Sequence, residues 1–220
     1  MKSRDLRHIF IFSMGRSGGT LLKKIINCDS NFEIHGENHG VLRNIMELDR
    51  VMGLTRSISY SGSEKPFTST NTAWHGYTRY SAYDVLSSVL SFRDDVISGY
   101  KEIRHGGGSF EEFCSEMDFL LEVCPQTLLV FNTRIISEVV HSQVQNWDEG
   151  NQECFASRKE IAIRQHENFV RYHERMPESS LVIDYRDIVD VHDRFVQFLD
   201  SIGYAHSIDF VRKILQFKIG

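Results

Sequence analysis

The sequence has no surplus of positive charge. Its 25 lysines and arginines are outnumbered by 30 acidic residues, giving a net charge of −5 and a pI near 6.1. That excludes the broad basic field behind nonspecific nucleic-acid binding, so no nucleic-acid partner is expected and any anion site must be local. Cysteine is sparse: Cys28, Cys114, Cys124 and Cys154 form no Cys-x-x-Cys pair and match no histidine cluster. Neither a zinc site nor a disulfide framework is indicated, and the four read as reduced core thiols. Long apolar runs are missing as well. "HIFIFSM", residues 8–14, falls far short of the ~20 residues of a membrane helix, and no cleavage site stands beside it. These absences predict a cytoplasmic protein without a membrane span. No repeat, low-complexity tract or linker interrupts the 220 residues, whose 41% hydrophobic and 25% charged content suits one domain over residues 1–220.

What is present alternates between two periods. "HIFIFSM" is apolar without clean alternation, as a strand buried on both faces would be. "TLLKKII" (20–26) then puts Leu21, Leu22, Ile25 and Ile26 on one helical face, with Lys23 and Lys24 opposite. "FEIHGE" (32–37) reads as a second strand, followed by a helix over 41–53 that Gly53 closes. Residues 55–79 are rich in Ser, Thr and Gly with no sustained period, which predicts a long surface excursion carrying Trp74 and Tyr77. "VISGYKEI" (96–103) reads as a strand, and Ser109 is placed to cap a helix with the stripe Phe110, Phe113, Met117, Leu120 and Leu121. "TLLVFNT" (127–133) is a buried strand and "SLVIDY" (180–185) the last one, with helices over 134–147, 157–176 and 191–203 between and after them. This order predicts an α/β fold, a three-layer sandwich around a central, mainly parallel sheet. Ligands of such sheets sit beyond the carboxyl ends of the strands, where the turn after the first strand falls.

That turn is "GRSGGT", residues 15–20. Glycines at 15, 18 and 19 let the backbone turn tightly and aim N–H groups inward, and the following helix adds its positive end. A phosphate or sulfate belongs there. Arg16 supplies a cationic fork, and Ser17 and Thr20 offer hydroxyl donors. Nucleoside triphosphatases and kinases of this loop class need Gly-x-x-x-x-Gly-Lys-Ser/Thr. Counted from Gly15, the last three of those positions hold Thr20, Leu21 and Leu22, so the lysine for the β/γ-phosphates and the hydroxyl for Mg²⁺ are both missing. A donor whose leaving group needs less charge neutralisation fits better. A kinase-like phosphotransferase with a degenerate loop, or a nucleotide-binding module without catalysis, are the alternatives.

"GRSGGTLL" after a buried strand resembles the 5′-phosphosulfate loop of sulfotransferases that use 3′-phosphoadenosine 5′-phosphosulfate (PAPS). Further matches follow in the family's order. "TRIISEVVHS" resembles its 3′-phosphate motif, with Arg134 at the strand end and Ser142 eight positions on. "VIDYRDIV" resembles its late strand ending in tyrosine, and "HGEN" lies where tyrosylprotein-type members carry their catalytic glutamate. The resemblance spans roughly residues 8–200 and is strongest at the two nucleotide motifs. One departure is plain: the C-terminal "RKILQFKIG" has no counterpart to the family's late glycine- and lysine-bearing loop, for which Lys213 and Lys218 are the available cations.

The resemblance implies transfer of the sulfuryl group of PAPS to a hydroxyl acceptor, a small molecule or a glycan or peptide, with PAPS as co-substrate and no metal. Such a transfer needs an in-line acceptor, a base and cations that hold charge on the bridging oxygen and the moving group. Arg16 is assigned to the leaving oxygen, Glu37 to the base with His35 and His39 as neighbouring candidates, and Lys101 to the transition-state charge. Strand alternation leaves Glu102 or Arg104 as rivals to Lys101. The cofactor-binding set is Arg16, Ser17, Gly18, Gly19, Thr20, Arg134, Ser142 and Tyr185.

Overall fold

The computed structural model describes residues 6–58 and 79–219. Five strands, β1 (His8–Ser13), β2 (Phe32–His35), β3 (Ile97–Glu102), β4 (Thr127–Thr133) and β5 (Ser180–Asp184), form one sheet in the order β2-β3-β1-β4-β5. Every pairing is parallel. β1 is central and buried along its whole length, which explains its unbroken apolar run. The chain leaves β1 toward β2 and β3 on one side, then crosses to β4 and β5 on the other. The carboxyl ends of β1 and β4 therefore flank the point where the winding reverses, the usual place for a ligand crevice.

Alternation along β1 sorts the core into two layers. Phe10 and Phe12 point to a face shared with Phe131, Phe113, Phe169 and Tyr172. This layer is strongly aromatic, with Phe131 and Phe169 stacked at 5.0 Å between ring centres. It is covered by α2 (Val41–Ile58), α3 (Arg79–Leu90), α4 (Phe110–Val123), α5 (Ile136–Trp147) and α6 (Phe155–Arg175). Ile9 and Ile11 point the other way, to Leu22, Ile25, Val130, Ile183 and Phe195. Here the cover is α1 (Gly19–Ile26), the short α7 (Tyr185–Val189), α8 (Asp193–Ser201) and α9 (Ile208–Ile219). The three-layer α/β sandwich expected from the sequence is thus present.

Several boundaries follow local chemistry. Ser109 caps α4 in a reciprocal pair with Glu112, each side chain taking the other's backbone N–H. Gly53 does not close α2, which continues to Ile58; an interior glycine costs a helix about 1 kcal/mol and does not end one. α3, whose Ala82, Leu86 and Leu90 are buried at four-residue spacing, occupies a stretch where no element was expected. The excursion residues Trp74 and Tyr77 lie outside the described residues. All four cysteines are free, yet only Cys114 and Cys124 are core thiols. Cys28 is exposed in the turn after α1, against the expectation, while burial pushes the Cys124 thiol up to about 12. Among the described residues no helix is long and apolar enough to cross a membrane.

Candidate active site

The loop between β1 and α1 turns through two residues in the left-handed region, Arg16 at φ 70° and Gly18 at φ 89°. Glycine is required at 18 on two counts, because the Tyr185 ring also fills the place a Cβ would take. At Gly19 the Ser13 hydroxyl leaves no room for a side chain. The loop's carbonyls are already engaged. The Met14 carbonyl accepts from the Ser17 N–H at 3.0 Å and from the Ser17 hydroxyl at 2.6 Å. The Gly15 carbonyl accepts from Gln143 Nε2 at 2.8 Å, and the Arg16 carbonyl from the Arg134 guanidinium at 3.4 Å. The N–H groups of Gly19 and Thr20 open α1, where no intrahelical acceptor exists, and so present a positive surface to the crevice.

Ser17 is fully buried, and its hydroxyl also lies 2.9 Å from Asn132 Oδ1. The Asn132 amide in turn donates to the Ile183 carbonyl at 3.3 Å, so Ser17 and Asn132 strap the loop to β4 and β5. Arg16 is exposed and donates through Nε to the Ser142 hydroxyl at 3.1 Å. Arg134 stands just before α5, stacks 4.4 Å over the Tyr185 ring and is held by Glu138 at 2.8 Å. Eight helical residues span ~12 Å, too far for Arg134 and Ser142 to meet along the axis. Arg16 closes that gap, because it contacts both.

The opposite wall comes from β2 and β3. Lys101, 6% exposed, places Nζ 2.5 Å from Glu37 Oε1, and Arg104 lies 3.5 Å from Glu37 Oε2. Glu102 turns away and is buried. It accepts from the N–H groups of Asn38, Gly40 and Ile103 at 3.2, 3.1 and 2.8 Å, and from Arg104 at 2.8 Å. Burial opposes its ionised form, but the Ile103 and Gly40 N–H groups and Arg104 outweigh it and hold the carboxyl below its ordinary range. Alternation is thereby resolved: Lys101 and Arg104 reach the crevice, and Glu102 anchors the 38–40 turn that follows Glu37.

These walls enclose a cavity of about 610 Å³. Of the residues singled out in the sequence, Arg16, Gly18, Gly19, Thr20, Glu37, Lys101, Arg134, Ser142 and Tyr185 line it. Ser17 lies beneath the loop, and neither His35 nor His39 reaches the lining. Lys213 sits exposed on α9, also away from the cavity. Arg104, named in the sequence as a rival to Lys101, lines it as well, as do Lys24 and Trp147, which were missed along with the buried clamp Gln143. Gln143 and Trp147 are one helical turn apart and both meet Gly15: the Gln143 amide donates to the Gly15 carbonyl, and the Trp147 ring fills the place a Cβ there would take. That pairing of a long polar and an aromatic side chain beside Ser142 was the available signal. Among the described residues no group of three or more His, Cys, Asp or Glu is placed to hold a metal ion.

A parallel sheet whose central strand ends in an amide-lined glycine loop and a helix defines an α/β protein of the phosphate-binding-loop kind. Within that class the chain belongs to the sulfotransferase family, whose profile matches residues 8–199 and whose chemistry is sulfuryl transfer. The fold is similar to the sulfotransferase domain of the Synechococcus PCC 7002 olefin synthase, at TM-score 0.62 and 15% identity over 91% of this chain and 74% of that one. It is also similar to the sulfotransferase STF9 of Mycobacterium avium, at TM-score 0.55 and 12% identity over 98% and 69% of the two chains. At these identities the likeness carries the fold alone. No curated protein sequence matches the chain.

Proposed function

We propose that residues 1–220 form one cytoplasmic sulfotransferase domain that moves the sulfuryl group of PAPS to a hydroxyl acceptor and releases adenosine 3′,5′-bisphosphate (PAP). The observation that supports this best is the convergence, in one cavity, of the Arg16–Ser142 bond on one wall and the Lys101–Glu37 pair on the other. The loop amides and Arg16 receive the 5′-phosphosulfate. Arg134 and Ser142 receive the 3′-phosphate, and Tyr185, stacked under Arg134, touches the nucleotide. Ser17 contributes by fixing the loop, its hydroxyl spent on Met14 and Asn132 rather than on the ligand.

In the reaction the acceptor oxygen attacks sulfur in line, the bond from sulfur to the 5′-phosphate oxygen breaks, and PAP departs with its electron pair stabilised by Arg16. The acceptor proton passes to Glu37. Lys101 holds Glu37 before the donor arrives, and exchanging that partner for a sulfuryl oxygen frees the carboxylate for the proton. A magnesium-dependent kinase is disfavoured by Leu22, which stands fully buried where the metal-binding hydroxyl would be.

Thermal melting with PAP, ADP and ATP–Mg²⁺ tests the donor. A ligand that binds only the folded form raises the melting temperature, and PAP is expected to raise it well above ADP. A larger shift with ATP–Mg²⁺ than with PAP would sink the reading.

A further inference from the structure

A second cavity of about 730 Å³ adjoins the first through Arg104, which lines both. Its walls carry Arg43, Glu47 and Arg50 of α2 and Ser115 and Glu116 of α4. Every charge there has a counter-charge or a donor. Arg43 pairs with Glu116 at 2.5 Å, Arg50 with Glu47 at 2.6 Å, and Arg104 with Glu102 at 2.8 Å. Glu112 accepts the Ser109 N–H at 2.9 Å. The described lining contains no aromatic side chain, and Met46 is its single large apolar one.

We propose that this cavity is the acceptor subsite and that it takes a neutral polyhydroxylated acceptor. The inference rests on the sulfuryl-transfer reading above and adds the substrate class to it. Arg104 gives the position: the same guanidinium that borders the second cavity lies 3.5 Å from Glu37, so a hydroxyl presented beside Arg104 meets the proposed base. The charge pattern gives the class. An anionic acceptor would have to displace a carboxylate and leave that carboxylate facing it, since the three arginines are each paired with one that stays in or beside the cavity. A phenol needs apolar or aromatic flanks for its ring. A polyol needs alternating acceptors and donors, and the exposed edges of carboxylate–guanidinium pairs supply both without either ion losing its partner.

The test uses the whole chain. PAP is first confirmed as a ligand by thermal shift. Initial rates of PAP release and of sulfated product by mass spectrometry are then compared for neutral methyl glycosides and cyclitols, uronic-acid glycosides and 4-nitrophenol, with PAPS held constant. Neutral polyols should exceed both other classes by about tenfold or more in kcat/KM. Two variants add bulk at lining positions: Ser115→Trp on the exposed face of α4, and Gly107→Leu, where a Cβ meets only Ile161 at 3.5 Å. Each should raise the acceptor KM by about tenfold and leave the PAP shift unchanged, a split that general damage to the fold does not produce. A PAP shift accompanied by preference for the phenol or the uronic acid, by no sulfated product, or by unchanged acceptor KM in both variants overturns the acceptor assignment alone. Absence of a PAP shift in the wild-type chain overturns the donor reading and this assignment with it.

Discussion

Arg16 and Lys101 share one cavity and are held in opposite ways. Arg16 is exposed and bonded to the neutral Ser142 hydroxyl, and among the described residues no carboxylate pairs with it. Lys101 is buried and bonded to Glu37, with Arg104 on the carboxylate's other oxygen. On the loop wall Arg16 therefore keeps its charge uncommitted for a ligand, although Arg134 beside it is paired with Glu138, and the β3 wall keeps its charges neutralised until a ligand competes for them. Such a division suits a reaction in which one anion must be gripped first and one proton must be taken later.

Removing the uncommitted charge should do the most damage. Arg16→Ala is expected to lower kcat/KM for PAPS by about a thousandfold, the scale of losing a charge-stabilising donor at a transition state. Arg16→Lys should recover little of it, since an ammonium cannot reproduce the Nε bond to Ser142 while pointing at a ligand. A loss under tenfold for Arg16→Ala would mean that the loop amides suffice and that the two walls do not differ as described.

The paired wall should fail differently. Glu37→Gln keeps the shape and removes the proton acceptor, so kcat is expected to fall about a hundredfold with PAP affinity retained. Equal losses in kcat and in PAP affinity, measured by calorimetry, would erase the distinction between gripping and proton-taking walls. Between these effects and simple stability lies Gly18. Gly18→Ala forces a side chain into φ 89° and against the Tyr185 ring. It should cost about 1–3 kcal/mol in urea unfolding. Tyr185→Ala in the same chain should relieve the collision and leave the backbone strain.

The elements that build the grip were legible in the sequence because they announce themselves locally. β1 and β4 are unbroken apolar runs, as strands covered on both faces must be, and three glycines around Arg16 have few other uses. Elements defined by distant partners were harder to read. α3 buries Ala82, Leu86 and Leu90, but its apolar residues also include the exposed Val89, and its buried face is defined only where α2 and α4 pack on it. Lys101 could not be told from Glu102 by alternation alone, since either phase of β3 is consistent with the pattern. What decides it is the 38–40 turn, whose amides claim the Glu102 carboxylate. Arg104 stood as a rival for the same reason: its place beside Glu37 depends on contacts 67 residues apart.

Ser17 offers the finest test of the loop wall. Its hydroxyl sits in a sequence pattern that suggests a phosphate ligand, yet it is fully buried and satisfied by Met14 and Asn132. If it is a strut, Ser17→Ala removes hydrogen bonds from the loop's underside and leaves the Asn132 oxygen short of a donor, lowering stability by about 1 kcal/mol. The amides above the loop are set by Gly18, Gln143 and Arg134, which the substitution does not touch. PAP affinity should then stay within about threefold of the parent, a difference of roughly 0.6 kcal/mol. A hydroxyl that bound the phosphosulfate directly would give the reverse: little change in unfolding and a loss of affinity well beyond threefold. Measuring both on one variant decides whether the loop's polar side chains divide, as its charges do, between those facing the ligand and those that hold the loop in shape.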